Sequence, residues 1–277
     1  MNTEKKWNVI FKVLRRRKGQ DPYFEDFPLE VDPDEYVLDG IERIWAFHDR
    51  SLTFRHACHH STCGACGMRI NGTEKLTCIT LIRSVCKNGG VIQVEPLRNF
   101  PVESDLVVDM SVFYRNVEKT CADQVTDLKS ADLPFEWRDA TYPAESLERL
   151  VDCIECGLCI SACPAAATSE TYFGPGGLAA AHQKVIHATE ISLLEMTKKK
   201  DNSTAQDFGD PFLSIKNSYD LVDNQDGVWR CHSAFECTEV CPSSVDPAWR
   251  IMDMRKRIIS SRIKDFLGIK NQNEVRR

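Results

Sequence analysis

The chain has 277 residues, a formal net charge of −6 and 42% hydrophobic residues. That length favours two domains, and the apolar content suits ordinary packed cores. The acidic balance argues against nucleic acid as a partner, and no stretch approaches the roughly 18 apolar residues of a membrane span.

The basic residues at 15 to 18 precede an acidic segment holding Asp21, Pro22, Glu25 and Asp26. An export signal would place an apolar run there, so export is not expected. This run and Lys198-Lys199-Lys200 read as solvated turns.

Trp7 to Arg15 alternates Val9, Phe11 and Val13 with more polar residues, a strand pattern. Arg16 to Pro22 carries Gly19 and Pro22 and reads as a turn. Phe24 to Val31 reads as a second strand, giving a hairpin. Asp32-Pro33-Asp34-Glu35 predicts a helix start, with Asp32 as cap, Pro33 in the first turn and Glu35 completing a capping box. Leu38, Ile41 and Trp45 recur at helical spacing, so this face is expected to pack on the sheet.

Thirteen cysteines are many, and the number is odd. Disulfides are the ordinary reading of such a count, but they suit small exported chains. Zinc sites pair two C-x2-C units across a spacer, which is not the dominant pattern here. Cys58, Cys63, Cys66 and Cys78 follow C-x4-C-x2-C and a distant cysteine, the spacing of plant-type 2Fe-2S ferredoxins. Each iron takes two thiolates, so a tight loop supplies three ligands and a nearby element the fourth. Gly64 and Gly67 suit such a loop, because glycine lets backbone N–H groups approach cluster sulfurs. Hairpin, helix and cluster loop in this order predict a β-grasp 2Fe-2S ferredoxin domain over residues 1–105, with Val91 to Val94 as its closing strand. Cys86 and Cys121 lie outside every pattern and read as inert thiols.

Residues 106–142 read as helix and linker, and residues 143–277 as an all-α, two-cluster ferredoxin-like domain, so the fold class is α+β. The stretch 143–151 looks helical. Gly174-Pro175-Gly176-Gly177 is expected to break the chain before a helix from Leu178 to Ile191. Residues 197–211 read as a surface loop. Asp246-Pro247 opens a last helix with apolar residues at 251, 252, 258, 259, 263, 266 and 267, which Gly268 ends.

Within this half, Cys153 to Pro164 reads CIECGLCISACP and Cys231 to Pro242 reads CHSAFECTEVCP. Both follow C-x2-C-x2-C-x3-C-P, the frame of two-cluster ferredoxins, except that Ala234 stands at the second cysteine position of the second copy. In that frame the fourth cysteine of each copy binds the other copy's cluster. The rule assigns Cys153, Cys156, Cys159 and Cys241 to a 4Fe-4S cluster. It leaves Cys163, Cys231 and Cys237 as a three-cysteine set. An alanine methyl cannot bind iron, so this set favours 3Fe-4S, although a 4Fe-4S cluster with water or another fourth ligand also satisfies it. No base, nucleophile or substrate pocket is evident, and the chain reads as an electron conductor.

With these motifs the chain resembles the iron-sulfur subunits of succinate dehydrogenase and fumarate reductase, over nearly its whole length. The resemblance includes Leu52-Thr53-Phe54-Arg55 before Cys58, Gly67-Met68-Arg69-Ile70-Asn71-Gly72, Pro101-Val102, Asp105-Leu106-Val107-Val108-Asp109, and Gly174-Pro175 before Leu178. Its most specific element is the motif pair with a non-cysteine at 234. It implies the ligand sets above, with 2Fe-2S, 4Fe-4S and 3Fe-4S clusters in series. It also implies a flavoprotein subunit interconverting succinate and fumarate at FAD, and membrane-anchor subunits that complete a quinone site. The protein would then sit peripherally on the cytoplasmic face of the membrane through its anchor. Pro164 and His232 occupy the family's quinone-side positions, His232 as a proton carrier or hydrogen-bond donor, or as a structural histidine beside a cluster. Many ubiquinone-reducing members carry a tryptophan a few residues after that proline. Here Ala165-Ala166-Ala167-Thr168 follows, and Thr168 offers a hydrogen bond but no ring, which leaves room for menaquinone or an altered anchor. A second reading is the iron-sulfur subunit of a heterodisulfide reductase or anaerobic glycerol-phosphate dehydrogenase type. Those usually carry complete motifs and lack the plant-type set, the opposite of this chain.

Overall fold

Alternation in the first segment builds a hairpin. Strands β1 (Trp7–Arg15) and β2 (Tyr23–Val31) pair antiparallel from Trp7 opposite Val31 to Arg15 opposite Tyr23. Val9, Phe11 and Val13 face the core with Phe27, Leu29 and Val31. Pro28, which lacks an N–H, sits on β2 at the edge of the sheet, where the missing donor costs no ladder bond. The computed structural model describes residues 6–17, 19–121, 153–198 and 218–268. The helical stretch expected at 143–151 and most of the loop expected at 197–211 lie outside them.

Strands β3 (Gly67–Ile70), β4 (Thr73–Leu76) and β5 (Val91–Glu95) complete a five-stranded sheet in the order β2-β1-β5-β3-β4, with β1 and β5 parallel. Helix α1 (Val37–Phe47) packs across it, as a β-grasp requires. The helix starts later than Asp32 predicts. Only half of the capping box forms, and it closes a turn: the Asp32 N–H donates to Glu35 Oε2 at 3.2 Å, while Asp32 Oδ1 accepts the Asp34 N–H at 2.8 Å. Asp39 takes the capping role by accepting the Tyr36 N–H at 2.9 Å. The buried face is Val37, Leu38, Ile41 and Ile44. Trp45 is not on it: in the last turn of the helix it stays exposed, and the Arg50 guanidinium stacks on its ring at 4.1 Å.

The single turn α2 (Ile82–Val85) precedes β5, and a two-stranded ribbon of β6 (Val102–Ser104) and β7 (Val107–Val108) leads into α3 (Ser111–Cys121). Between these strands Asp105 is 1% exposed and accepts the Arg15 Nε–H at 3.2 Å, the Arg16 N–H at 3.0 Å and the Thr53 N–H at 3.0 Å. The Arg15 guanidinium, fully buried, also bonds Glu25 and Asp49.

The second half is helical: a short α4 (Leu158–Ala162), a long α5 (Gly174–Lys198), a turn of α6 (Glu236–Glu239) and α7 (Pro247–Phe266). The glycine run does not break the chain before Leu178. It forms the first turn of α5, with Pro175 at a position that needs no N–H donor. A Cβ at Gly176 would lie 2.7 Å from the Phe113 ring, so glycine here lets α5 close onto α3. The last helix begins as expected, with Asp246 Oδ1 accepting the Trp249 N–H at 3.2 Å. Leu178, Val185, Ile251, Met254 and Ile258 form the core between α5 and α7, while Ile259, Ile263, Phe266 and Leu267 stay exposed.

His182 of α5 is 1% exposed against α7, with its Nε2 2.9 Å from Asp253 Oδ2. Burial pulls its pKa down to about 4, against the Asp253 hydrogen bond that pulls the other way. An unfolded histidine titrates near 6.5. The neutral ring therefore contributes its full stability above about pH 6.5, and that contribution is lost as pH falls toward 4, where only the unfolded chain takes the proton. Urea unfolding of the helical half at pH 7.5 and pH 5 should differ by about 2 kcal/mol from this group. His182→Gln should remove that part of the pH dependence; an unchanged dependence would discard the assignment.

The halves share an apolar layer of Leu38, Leu76, Leu97, Val108, Phe113, Leu158 and Ile160. Polar bonds pin it: Ser161 Oγ donates to the buried Glu74 carboxylate at 2.8 Å and accepts the Arg98 N–H at 2.9 Å. Asn99 Nδ2 donates to the carbonyls of Ile160 at 2.8 Å and Cys163 at 3.0 Å.

Candidate metal centres

The loop from Cys58 to Cys66 folds on left-handed backbone at His59, Ser61 and Gly64. Cys66 is fixed at its end, where its carbonyl accepts the Thr77 N–H at 3.2 Å and the Thr77 hydroxyl at 3.0 Å. The same contact places Cys78, in the 3-10 turn Thr77–Ile79, beside Cys66. The four thiols gather closely, Cys63 beside Cys58 and Cys66 beside Cys78, with Cys58 near enough to act on Cys78 as well. Two thiols per iron is the arrangement a 2Fe-2S group needs. The Thr62 hydroxyl and then the His60 N–H hold Cys58 down to about 5, whereas burial, followed by Cys66, pushes Cys78 up to about 12. Cys58 is thus thiolate at neutral pH and Cys78 is not, until a metal displaces the proton.

Two cavities in the second half divide the remaining motif cysteines. One, of about 440 Å³ including its open mouth, is lined by Cys153, Cys156, Cys159 and Cys241 together with Phe113 and Gly176. The other, of about 320 Å³ including its mouth, is lined by Cys163, Cys231 and Cys237 with Ala234, Tyr172, Pro164 and His232. Each cavity takes cysteines from both sequence motifs, because α4 and α6 pack side by side. Burial pushes Cys156 and Cys237 up to about 12 and Cys159 well above the ordinary thiol range. Thiols grouped by three and four in dry pockets suit ligands whose deprotonation is driven by bound iron, and the donor sets fit iron-sulfur clusters. None of the cysteines is in a disulfide among the described residues.

The three sites are contiguous. A Cβ on Gly64 would lie 2.6 Å from the Ile154 carbonyl oxygen and 2.9 Å from Cys156 Cα, so the Cys58 loop rests directly on the Cys153 to Pro164 motif. Cys159 on α4 and Cys237 on α6 line one cavity each, and the two helices that carry them pack side by side. Gly64→Ala adds that clash to a backbone at φ +69 and should destabilise the first loop by roughly 1–3 kcal/mol. Iron loss to a chelator should accelerate accordingly; an unchanged rate would show that the contact is slack.

Of the quinone-side candidates, Pro164 and His232 line the three-cysteine cavity. Thr168 does not, and its hydroxyl donates to the Ala165 carbonyl at 2.8 Å. Sequence reasoning missed Tyr172, whose hydroxyl is buried in this cavity without a hydrogen bond; no motif marks it. Burial and then the neighbouring thiols raise its pKa. Cys86 is half-buried beside the sheet core, away from all three sets.

A β-grasp sheet with a four-thiol loop, joined to a helical unit with two thiol-lined cavities, defines a multi-cluster iron-sulfur protein of the ferredoxin type. The family model for a 2Fe-2S iron-sulfur cluster binding domain matches residues 9–115, and that for a 4Fe-4S dicluster domain matches residues 149–245. The fumarate reductase iron-sulfur subunit of Mycobacterium tuberculosis is 30% identical, over 94% of this chain and 96% of its own. The Escherichia coli O6:H1 fumarate reductase iron-sulfur subunit is 30% identical, over 94% of this chain and 95% of its own. The succinate dehydrogenase iron-sulfur subunit of Paracoccus denitrificans is 28% identical, over 87% and 83%. A chain of the Mycobacterium smegmatis Sdh1 complex in the apo form superposes with a TM-score of 0.66 at 25% identity, over 92% of this chain and 97% of that one. The chain belongs to the family of succinate dehydrogenase and fumarate reductase iron-sulfur subunits. The heterodisulfide reductase and glycerol-phosphate dehydrogenase reading is set aside. No helix among the described residues is long and apolar enough to cross a membrane.

Proposed function

We propose that this chain conducts electrons between the FAD of a flavoprotein subunit, where succinate and fumarate interconvert, and a membrane quinone held by anchor subunits. Bound iron-sulfur clusters supply one-electron redox centres at its thiols. Cys58, Cys63, Cys66 and Cys78 would hold 2Fe-2S. Cys153, Cys156, Cys159 and Cys241 would hold 4Fe-4S, and Cys163, Cys231 and Cys237 would hold 3Fe-4S. The observation that carries the reading is the sorting of seven cysteines from two interleaved motifs into one four-thiol and one three-thiol cavity, with Ala234 on the wall of the second. We assign residues 1–105 to the 2Fe-2S domain, 106–142 to the connection and 143–277 to the two-cluster domain.

The residues do simple work. Close packing through Gly64 and the contact between α4 and α6 keep the sites adjacent, so electrons need cross only short gaps. Buried Ile251 and Ala165 help keep water from the three-thiol cavity. His232 is exposed at its mouth and would donate a hydrogen bond or a proton to a quinone oxygen, against the wall that Pro164 forms. An anchor docked there would hold the protein on the cytoplasmic face of the membrane.

EPR of the anaerobically purified chain tests this. The expected result is an isotropic signal from a 3Fe-4S centre in the oxidised protein and a 2Fe-2S signal on reduction. Stoichiometric zinc with no iron would refute it.

A further inference from the structure

Outside the thiol sets, one group of side chains has the geometry of a metal site. Glu42 on α1 meets His56 and His59, which flank Cys58. Glu42 Oε1 is 3.1 Å from His56 Nδ1 and 3.2 Å from His59 Nε2, and the two ring nitrogens are 3.3 Å apart. A tetrahedral ion with bonds of about 2.0–2.1 Å places its ligand atoms about 3.3–3.4 Å from one another. The triangle is therefore the right size for three of four such positions.

Two further observations point the same way. Glu42 Oε1 is buried from water yet accepts no hydrogen bond, although both ring nitrogens stand within reach. A carboxylate oxygen in that state is costly, and a cation at the centre of the triangle would relieve it. The rings are also held in place. His56 stacks on Phe54 with centroids 5.0 Å apart, and left-handed backbone at His59 turns its ring back edge-on to His56. The simpler reading is an ion pair between Glu42 and protonated imidazoles. It leaves unexplained why the carboxylate oxygen makes no hydrogen bond with either ring.

We propose that Glu42, His56 and His59 bind a four-coordinate divalent transition ion of the zinc class, with the fourth position open to solvent. Two imidazoles and one carboxylate are a zinc-type donor set, whereas magnesium and calcium prefer all-oxygen shells. The site would clamp the Cys58 loop to α1. Its positive charge would also favour the reduced 2Fe-2S state, raising the potential of that centre.

The test is a titration of the full chain with zinc chloride, after its iron content has been assayed and adventitious metal removed, followed by zinc K-edge absorption. One zinc per chain is expected, with nitrogen and oxygen scatterers at about 2.0–2.1 Å and no sulfur at about 2.3 Å. Glu42→Gln, which lies on α1 outside the cluster loop, should weaken binding at least about tenfold with iron content unchanged, and His59→Gln, within that loop, should weaken zinc binding as well. In redox titration, zinc should raise the 2Fe-2S potential in the parent chain and not in Glu42→Gln. Sulfur in the zinc shell, less than one zinc at micromolar metal, or undiminished affinity in Glu42→Gln would overturn the proposal. A chain that loads no iron would instead count against the electron-carrying reading, and Glu42→Gln would still report on this site.

Discussion

Replacing Ala234 by cysteine should abolish the isotropic signal of the oxidised third centre. Ala234 stands on the wall of the cavity that Cys163, Cys231 and Cys237 line, at the position where the repeat calls for a ligand. A fourth thiolate there completes the set for a cubane, and the added iron and ligand change cluster type and net charge together. The potential should fall. Each fall of about 59 mV shifts a one-electron equilibrium about tenfold away from reduction of this centre. Electron delivery to quinone should therefore drop by an order of magnitude or more, while succinate oxidation measured with an artificial acceptor taking electrons at the flavin should persist. Ala234→Ser, which fills the same space with a poor iron ligand, should keep the signal. If Ala234→Cys retained the oxidised signal at full intensity, the assignment of the three cysteines to one incomplete set would be wrong.

The largest stability loss is expected at Arg15. Its guanidinium is fully buried and contacts Glu25 at 2.5 Å, Asp49 at 2.7 Å and Asp105 at 3.2 Å. Burial opposes its charge, but the hydrogen bonds it donates to Asp49 and Asp105, with their negative charge, outweigh that and raise its pKa. Arg15→Met keeps much of the volume and removes the charge, leaving Asp105 buried without its cation. Breaking a buried pair in this way costs about 3–5 kcal/mol. The half-exposed Glu25 and Asp49 regain water, so the lower end, about 3 kcal/mol, is expected. The Ser51 hydroxyl and then Arg15 hold the Asp49 carboxyl below the usual range, so its stabilisation is present above about pH 4 and is lost on further acidification. The gap between the parent chain and Arg15→Met should accordingly narrow below that pH. Urea unfolding followed through the visible absorption of the 2Fe-2S domain measures both effects. The double variant Arg15→Met/Asp105→Asn should recover much of the loss, and no recovery would place the cost in packing instead.

Local patterns were legible where one rule dominates. The hairpin followed from alternation at Val9, Phe11 and Val13, and the last helix from Asp246-Pro247. The start of α1 misled because Asp32 and Glu35 make capping-type bonds in a turn as readily as in a helix. Trp45 keeps the helical spacing of Leu38 and Ile41 yet lies in the last turn, where its ring is exposed and meets Arg50 instead. The glycine run at 174 to 177 misled for a different reason. Glycine disfavours an isolated helix, but packing decides when a bulky neighbour such as Phe113 demands close approach.

The sequence by itself determined the chemistry of this protein. Cysteine spacing is a covalent property of the chain, so the three thiol sets and the gap at Ala234 can be read without coordinates. Only the tertiary structure decided what lies next to what. It brought Gly64 against Cys156, packed the helix of Cys159 against that of Cys237, and buried the Tyr172 hydroxyl in the three-thiol cavity. It also gathered Glu42, His56 and His59 into one triangle. Such contacts join residues far apart in the chain, and they depend on how sheet, loop and helices pack, which no local spacing encodes.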